Sequence, residues 1–381
     1  MSEVYYLVST AGFPNFGDEQ IVRTWLTIFR QKNPSAKIIL DVPAASRSQF
    51  LFKGEFDNLT IVDTLWNVIH FLAHKQIKLD DVQGVKDVLL HGDPRNREGL
   101  DLFLSADQIQ LLGGGYFTTS NVDFVNTYYF FPIFAAKKEL ATDTKVYGTG
   151  LGLTPIAEET QKMLESTTGV FDYLGVRDVE SSKVANTTLE LDDVYVSKML
   201  EALKLDTRED NPDILIDLQD ISDNTHRQQI VKEITDFLNT EENVGKTVGI
   251  LEALVPEDNW PYFSDAFNDV INKDERFSFF NFLHLWHQGL PNKEKQTWIS
   301  TRFHFHLIGG ILLNHPGVAI NIGNDYYATK HLSLIKNSGW QFLDYESEEP
   351  VNPTTAGMVR KTIVAKKTKD KLKKMVEIVQ G

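Results

Sequence analysis

Val4-Tyr5-Tyr6-Leu7-Val8, then Ala11-Gly12-Phe13-Pro14-Asn15-Phe16-Gly17-Asp18, then Ile21, Trp25, Leu26, Ile28 and Phe29: this stretch decides the fold. The opening five are aliphatic, aromatic or β-branched over a strand's length, and the next eight are rich in turn formers. The remaining apolar positions recur at helical spacing, so the unit is strand, loop, helix. Further strands are expected at Lys37–Leu40, Leu59–Val62, Ile109–Leu112, Lys145–Gly148 and Tyr173–Val176. Strands separated by helical patterns imply a parallel sheet with crossover helices.

The pattern turns polar and irregular around residues 186 to 211 and then restarts. Strands are expected at Ile214–Ile216, Val248–Leu251, Phe279–Leu283 and Val318–Ile322, with helical spacing near 223 to 239 and 261 to 272. Phe305–Leu313 is apolar almost all round, the mark of a buried helix. The expected organisation is an N-terminal domain over 1–188, a second over 189–350, and a C-terminal basic amphipathic helical segment over 351–381. From Arg360 to Lys374 that segment carries eight Lys or Arg and one Asp. It reads as a surface helix, with peripheral contact to an anionic membrane as the alternative.

Composition narrows the function. The 381 residues are 42% apolar and 24% charged, the balance of a folded chain with room for two cores. Cysteine is absent, which excludes disulfides, thiolate metal sites and a cysteine nucleophile. The net charge of −15 argues against nucleic acid as a partner. No basic, apolar leader opens the sequence and no run reaches a membrane span, so a cytoplasmic protein is expected, at most at the inner face of the membrane.

In open α/β sheets ligands bind beyond the carboxyl ends of strands. Three turns there are unusual: Asn15-Phe16-Gly17-Asp18, Gly113-Gly114-Gly115 and Gly148-Thr149-Gly150-Leu151-Gly152. Their glycines permit close backbone approach and leave N–H groups for an anion, though each also fits a tight structural turn. Arg177, just past a strand, is either a local ion pair with Asp178 or a bidentate grip on phosphate or carboxylate. Ser300-Thr301-Arg302-Phe303-His304 is the sharpest segment, because it sets Arg302 and His304 at the start of a buried helix. His306 falls within the helix body and reads as structural. His284 and His287 lack a third ligand, and Asp192-Asp193 and Asp217–Asp220 fit solvated turns as well as a divalent ion.

Taken in order, Asn-x-Gly-Asp, the triple glycine, Gly-x-Gly-x-Gly, Val-Arg-Asp-x-x-Ser and Ser-x-Arg-x-His, leading through His315-Pro316-Gly317 to Lys330, resemble the polysaccharide pyruvyltransferase family. The likeness covers roughly residues 13 to 336. Two positions depart from it: Gly152 is followed by Leu153 where the family has proline, and Phe303 stands where leucine is common. The resemblance implies two Rossmann-like domains facing each other across a cleft, as in GT-B glycosyltransferases. It also implies phosphoenolpyruvate as donor substrate, no cofactor, and a saccharide acceptor, lipid-linked or free. Carried over by motif, Arg177 and Arg302 hold the donor's phosphate and carboxylate, with Phe303, Gly114 and Gly115 beside them. His304 is the proton-transfer group, and Asp18 either orients or deprotonates a sugar hydroxyl or caps its own loop. A nucleotide-sugar glycosyltransferase and a non-catalytic polysaccharide-assembly protein are the competing readings.

Overall fold

The computed structural model describes residues 3–92, 94–119, 124–220, 224–259, 275–323, 325–344, 347 and 349–381. The chain forms two compact units, one of Met1–Phe13, Asp18–Val196 and Asp370–Gly381, the other of Pro14–Gly17 and Ser197–Lys369.

The first unit is built on β1 (Val4–Val8), β2 (Lys37–Asp41), β3 (Leu59–Val62), β4 (Gln108–Leu111), β5 (Lys145–Leu151), β6 (Tyr173–Val176) and β7 (Thr188–Leu189). They form one parallel sheet in the order β3-β2-β1-β4-β5-β6-β7. Every residue of β4 is buried, as expected of a strand covered on both faces. The helix Phe16–Lys32 buries Ile21, Val22, Trp25, Leu26, Ile28 and Phe29. Its ends are polarised correctly for the helix dipole, with Asp18 and Glu19 in the first turn and Arg30 and Lys32 in the last. Tyr116 and Phe117 enter the core directly after the triple glycine, their ring centroids 4.4 Å apart, and so tie that turn to the sheet.

The second unit carries β9 (Ile214–Asp217), β10 (Val248–Leu251), β11 (Phe277–Phe280), β13 (Thr297–Ser300), β14 (Gly317–Ile320) and β15 (Gln341–Leu343). These also form a parallel sheet, in the order β11-β10-β9-β13-β14-β15. β8 (Leu205–Asp206) and β12 (Leu290–Pro291) pair separately. Both large sheets therefore follow the 3-2-1-4-5-6 logic of doubly wound α/β folds.

Several expectations need correction. The division falls after Val196 rather than at 188, because the polar stretch around 190 is buried wiring: Asp192, Asp193, Val194, Tyr195 and Val196 are all inside the first unit. The segment 351–381 is not a separate body either. Its helix, Met358–Gln380, contributes Met375, Ile378 and Val379 to the buried residues, and its last turns belong to the first unit. Strand β11 ends at Phe280, since Asn281 caps a helix at Phe282 by accepting from the His284 N–H at 2.9 Å. The buried helix begins at Phe303 instead of Phe305 and continues with π-type geometry over Leu307–Leu312. The helical pattern expected near 261 to 272 lies outside the described residues. Among the described residues no helix is long and apolar enough to cross a membrane.

Candidate active site

In the second sheet the strand order reverses between β9 and β13, where such folds bind ligands. These strands end at Asp217 and Ser300, which are opposite each other in register. The Ser300 hydroxyl donates to Asp217 Oδ2 at 2.8 Å, and its oxygen accepts from the Arg302 N–H at 3.0 Å. The Thr301 N–H donates to the Asp217 carbonyl, also at 3.0 Å. The chain thus leaves the sheet in a fixed direction, and Arg302, in extended conformation, becomes the N-cap of the buried helix.

The Arg302 guanidinium is already engaged. Its Nε donates to both oxygens of Asp258, at 2.9 and 3.2 Å, its Nη2 makes a short contact to the same carboxylate, and Glu257 lies 3.4 Å away. Asp258 is fully buried, whereas the Arg302 side chain keeps 15% exposure. A bidentate pair of this kind fixes the plane of the fork. Burial pushes the Asp258 carboxyl up, against the opposing pull of Arg302. Asp217 is pushed well above the carboxylate range, by burial first and then by the charge of Asp258.

Pro14–Gly17 completes this unit's site. The Phe16 N–H donates to the Ala253 carbonyl at 2.8 Å and the Val255 N–H to the Pro14 carbonyl at 3.1 Å, an antiparallel bridge onto the turn that leads to Glu257 and Asp258. The Phe16 ring meets Trp286 and Phe305 edge-on. Gly17 is thereby set against the His304 ring so closely that a Cβ there would lie 1.7 Å from Nδ1. Only glycine fits. Two motifs from opposite ends of the sequence are therefore parts of one local arrangement. Phe303 is buried and presents its ring edge-on to His304, with centroids 5.1 Å apart.

The first unit holds the other expected residues. Arg177 follows β6 and donates from Nη1 to Asp192 Oδ2 at 2.7 Å, with both side chains buried. Its partner is not Asp178, which accepts from the Ser181 N–H and hydroxyl at 2.7 Å each and so caps the next turn. The Arg177 N–H donates to the Leu151 carbonyl, and the Gly152 N–H to the Gly114 carbonyl at 2.9 Å. A Cβ on Gly152 would stand 3.3 Å from Arg177 Nε, and one on Gly114 would stand 3.6 Å from Asp18 Oδ1. Asp18, Gly114, Gly115 and Arg177 are thus grouped in this unit, and Arg302, Phe303 and His304 in the other.

Beneath the Gly148–Gly152 turn lies a cation that the sequence reading assigned to the surface. Lys371 is buried and sits 2.7 Å from both Glu190 Oε1 and Asp193 Oδ1. Glu190 also accepts from the Gly150 N–H at 2.7 Å, and Asp193 from Trp25 Nε1 and the Thr149 hydroxyl. Gly150 has φ +60, and a Cβ there would meet Asp193 at 2.9 Å, so the turn and its acidic support are built together. The acidic pair at 192 and 193 is spent on Arg177 and Lys371, and Asp217 on Ser300. Among the described residues no group of three or more His, Cys, Asp or Glu could hold a metal ion.

Fold and site together define a doubly wound α/β protein with arginine and histidine at strand ends. The family model described as polysaccharide pyruvyl transferase matches residues 15–324, and the chain belongs to that family of transferases. No curated relative matches it in sequence. Among solved structures, the UDP-GlcNAc 2-epimerase of Methanocaldococcus jannaschii is 10% identical with a TM-score of 0.50, over 97% of this chain and 100% of that one. The epimerase of Neisseria meningitidis bound to UDP-GlcNAc is 10% identical, with a TM-score of 0.49 over 100% and 94%. Anabaena HepE in complex with UDP and glucose is also 10% identical, with a TM-score of 0.48 over 99% and 93%. At these identities the likeness concerns the fold alone.

Proposed function

We propose that the protein transfers a pyruvyl group from phosphoenolpyruvate to a saccharide, forming a cyclic ketal on two hydroxyls and releasing phosphate. The observation that carries this reading is the His304 ring lying on Gly17, two residues from an arginine whose fork is held by buried Asp258. Arg302 binds an anionic end of the donor, and Arg177, held from Nη1 by Asp192, binds another. His304 delivers a proton to the donor's methylene carbon, leaving positive charge at C2. One sugar hydroxyl adds there and a second displaces phosphate. Of the two hydroxyl protons, one balances that gained by carbon and the other leaves with phosphate. Asp18 receives or orients a hydroxyl. Imidazole suits the proton transfer because one ring can give a proton and take it back.

The test is release of inorganic phosphate from phosphoenolpyruvate across a panel of saccharide acceptors. The product should gain the mass of pyruvic acid less one water. Turnover of nucleotide sugars instead, with phosphoenolpyruvate inert, would replace this reading by a glycosyltransferase.

A further inference from the structure

Behind the Arg302–His304 turn lies a buried chain of side chains that the proposed chemistry does not use. His306 and His331 are both fully buried, with their Nδ1 atoms 3.0 Å apart. His331 Nε2 is 3.0 Å from the Thr301 carbonyl, and His306 Nε2 is 2.7 Å from the Ser338 hydroxyl. Trp340 stacks on His306 with centroids 4.7 Å apart.

The direction of these hydrogen bonds follows from valence. A carbonyl only accepts, so His331 Nε2 carries hydrogen. Burial pushes His331 down to about 4 and His306 well below its ordinary value, so both rings are neutral near pH 7. His331 Nδ1 then has only a lone pair, and His306 Nδ1 must be the donor. His306 Nε2 in turn accepts, and Ser338 donates. Every hydrogen bond therefore points the same way, from Ser338 through His306 and His331 to the Thr301 oxygen. The chain ends on a carbonyl, so it cannot pass a proton onward. What it can do is hold that carbonyl. The same peptide group has its other end, the Arg302 N–H, on Ser300 Oγ.

We propose that His331 is a positioning residue of the transfer site, clamping the Thr301–Arg302 peptide plane and so aiming Arg302 and His304. This rests on the reading of those two residues as the acting pair. It requires His306 to be the Nδ1–H tautomer, the minority form of free histidine, and His331 the Nε2–H tautomer.

Two measurements on the full chain test it. Long-range proton–nitrogen correlation of the imidazoles at pH 7 should show those two tautomers, a result independent of any substrate. In phosphate-release assays, His331→Leu should lower kcat by more than about tenfold with a much smaller change in the KM for phosphoenolpyruvate. His331→Gln, which keeps an amide donor toward Thr301, should recover most of the loss. If His331→Leu does not fold, Ser338→Ala, at the far end of the chain, should mix the His306 tautomers and lower kcat by a few-fold. A charged or Nε2–H His306, or unchanged kcat in folded His331→Leu or in Ser338→Ala, overturns the proposal. A wild-type enzyme inert to phosphoenolpyruvate removes the functional reading and the assigned role with it, while the tautomers would still stand as a structural finding.

Discussion

Arg177 and Arg302 occupy equivalent places, each just past a parallel strand and each paired with a buried aspartate, yet their surroundings differ. Around Arg177 the acids Asp192, Asp193 and Glu190 are met by two cations, Arg177 and Lys371, both almost entirely buried. Around Arg302 the acids Asp258, Glu257 and Asp217 are met by Arg302, which keeps some exposure. Burial pushes Asp217 and Asp258 up toward the protonated form, and it pushes Glu190 of the first group up as well. The first arrangement balances its acids with two cations and fixes a glycine turn beside Arg177. The second keeps an oriented cation near the surface beside a histidine, which is what proton-coupled chemistry on an anion needs.

The sharpest way to break this contrast is at the histidine. His304→Ala should cost roughly 10²- to 10⁴-fold in turnover, about 3 to 5 kcal/mol of barrier, with a smaller effect on donor affinity. Gly17→Ala should also cost turnover, because its new Cβ displaces the ring. Single-turnover assays at saturating donor check both, and near-normal rates in His304→Ala would return the histidine to a packing role.

The first arrangement is tested at Lys371. Lys371→Met leaves Glu190 and Asp193 without their cation and should destabilise the protein by about 3–5 kcal/mol, read by denaturant unfolding. A change near zero would mean that those carboxyls take up protons at little cost.

The arginines should give smaller effects. Arg177→Lys and Arg302→Lys keep the charge but lose the fork, and each should weaken phosphoenolpyruvate binding by more than about 1 kcal/mol in calorimetric titration. Unchanged affinity in both variants would remove them from donor binding.

A different kind of effect, a slope, is expected on the first sheet. Asp41, buried against the Tyr6 hydroxyl and the Leu65 N–H, is pushed up to about 7 by burial. The folded state thus holds this proton more tightly than the unfolded chain does. Its contribution is present below about pH 4 and is lost as pH rises to about 7. Asp41→Asn should flatten the fall in Tm across that window, and an unchanged slope would assign the fall to other acids.

Much of this was legible in the sequence, for identifiable reasons. Parallel strands buried on both faces announce themselves as apolar runs, so the sheets were readable from Val4–Val8 onward. The Arg302–His304 turn stood out because polar groups seldom open an apolar helix without a use. Asp258 was not legible, since an acid in a short polar turn is usually solvated and its partner is distant in sequence. Lys371 was misread for the complementary reason: in a run of eight basic residues, nothing local marks the one that turns inward. The closeness of Gly17 to His304 depends on a backbone bridge, Asn15 to Leu254, that no periodicity encodes.

The return of Asp370–Gly381 to the first unit bears on how the chain is made. Residues 18–196 leave the ribosome early, but the lysine that neutralises Glu190 and Asp193 follows the whole second unit. Until it arrives, the two buried carboxylates that support the Gly150 turn lack their counter-ion. The first unit should therefore be the first synthesised and the last to close. A truncation that removes Lys371 would then act on the amino-terminal sheet, far away in sequence, before it disturbed the second unit.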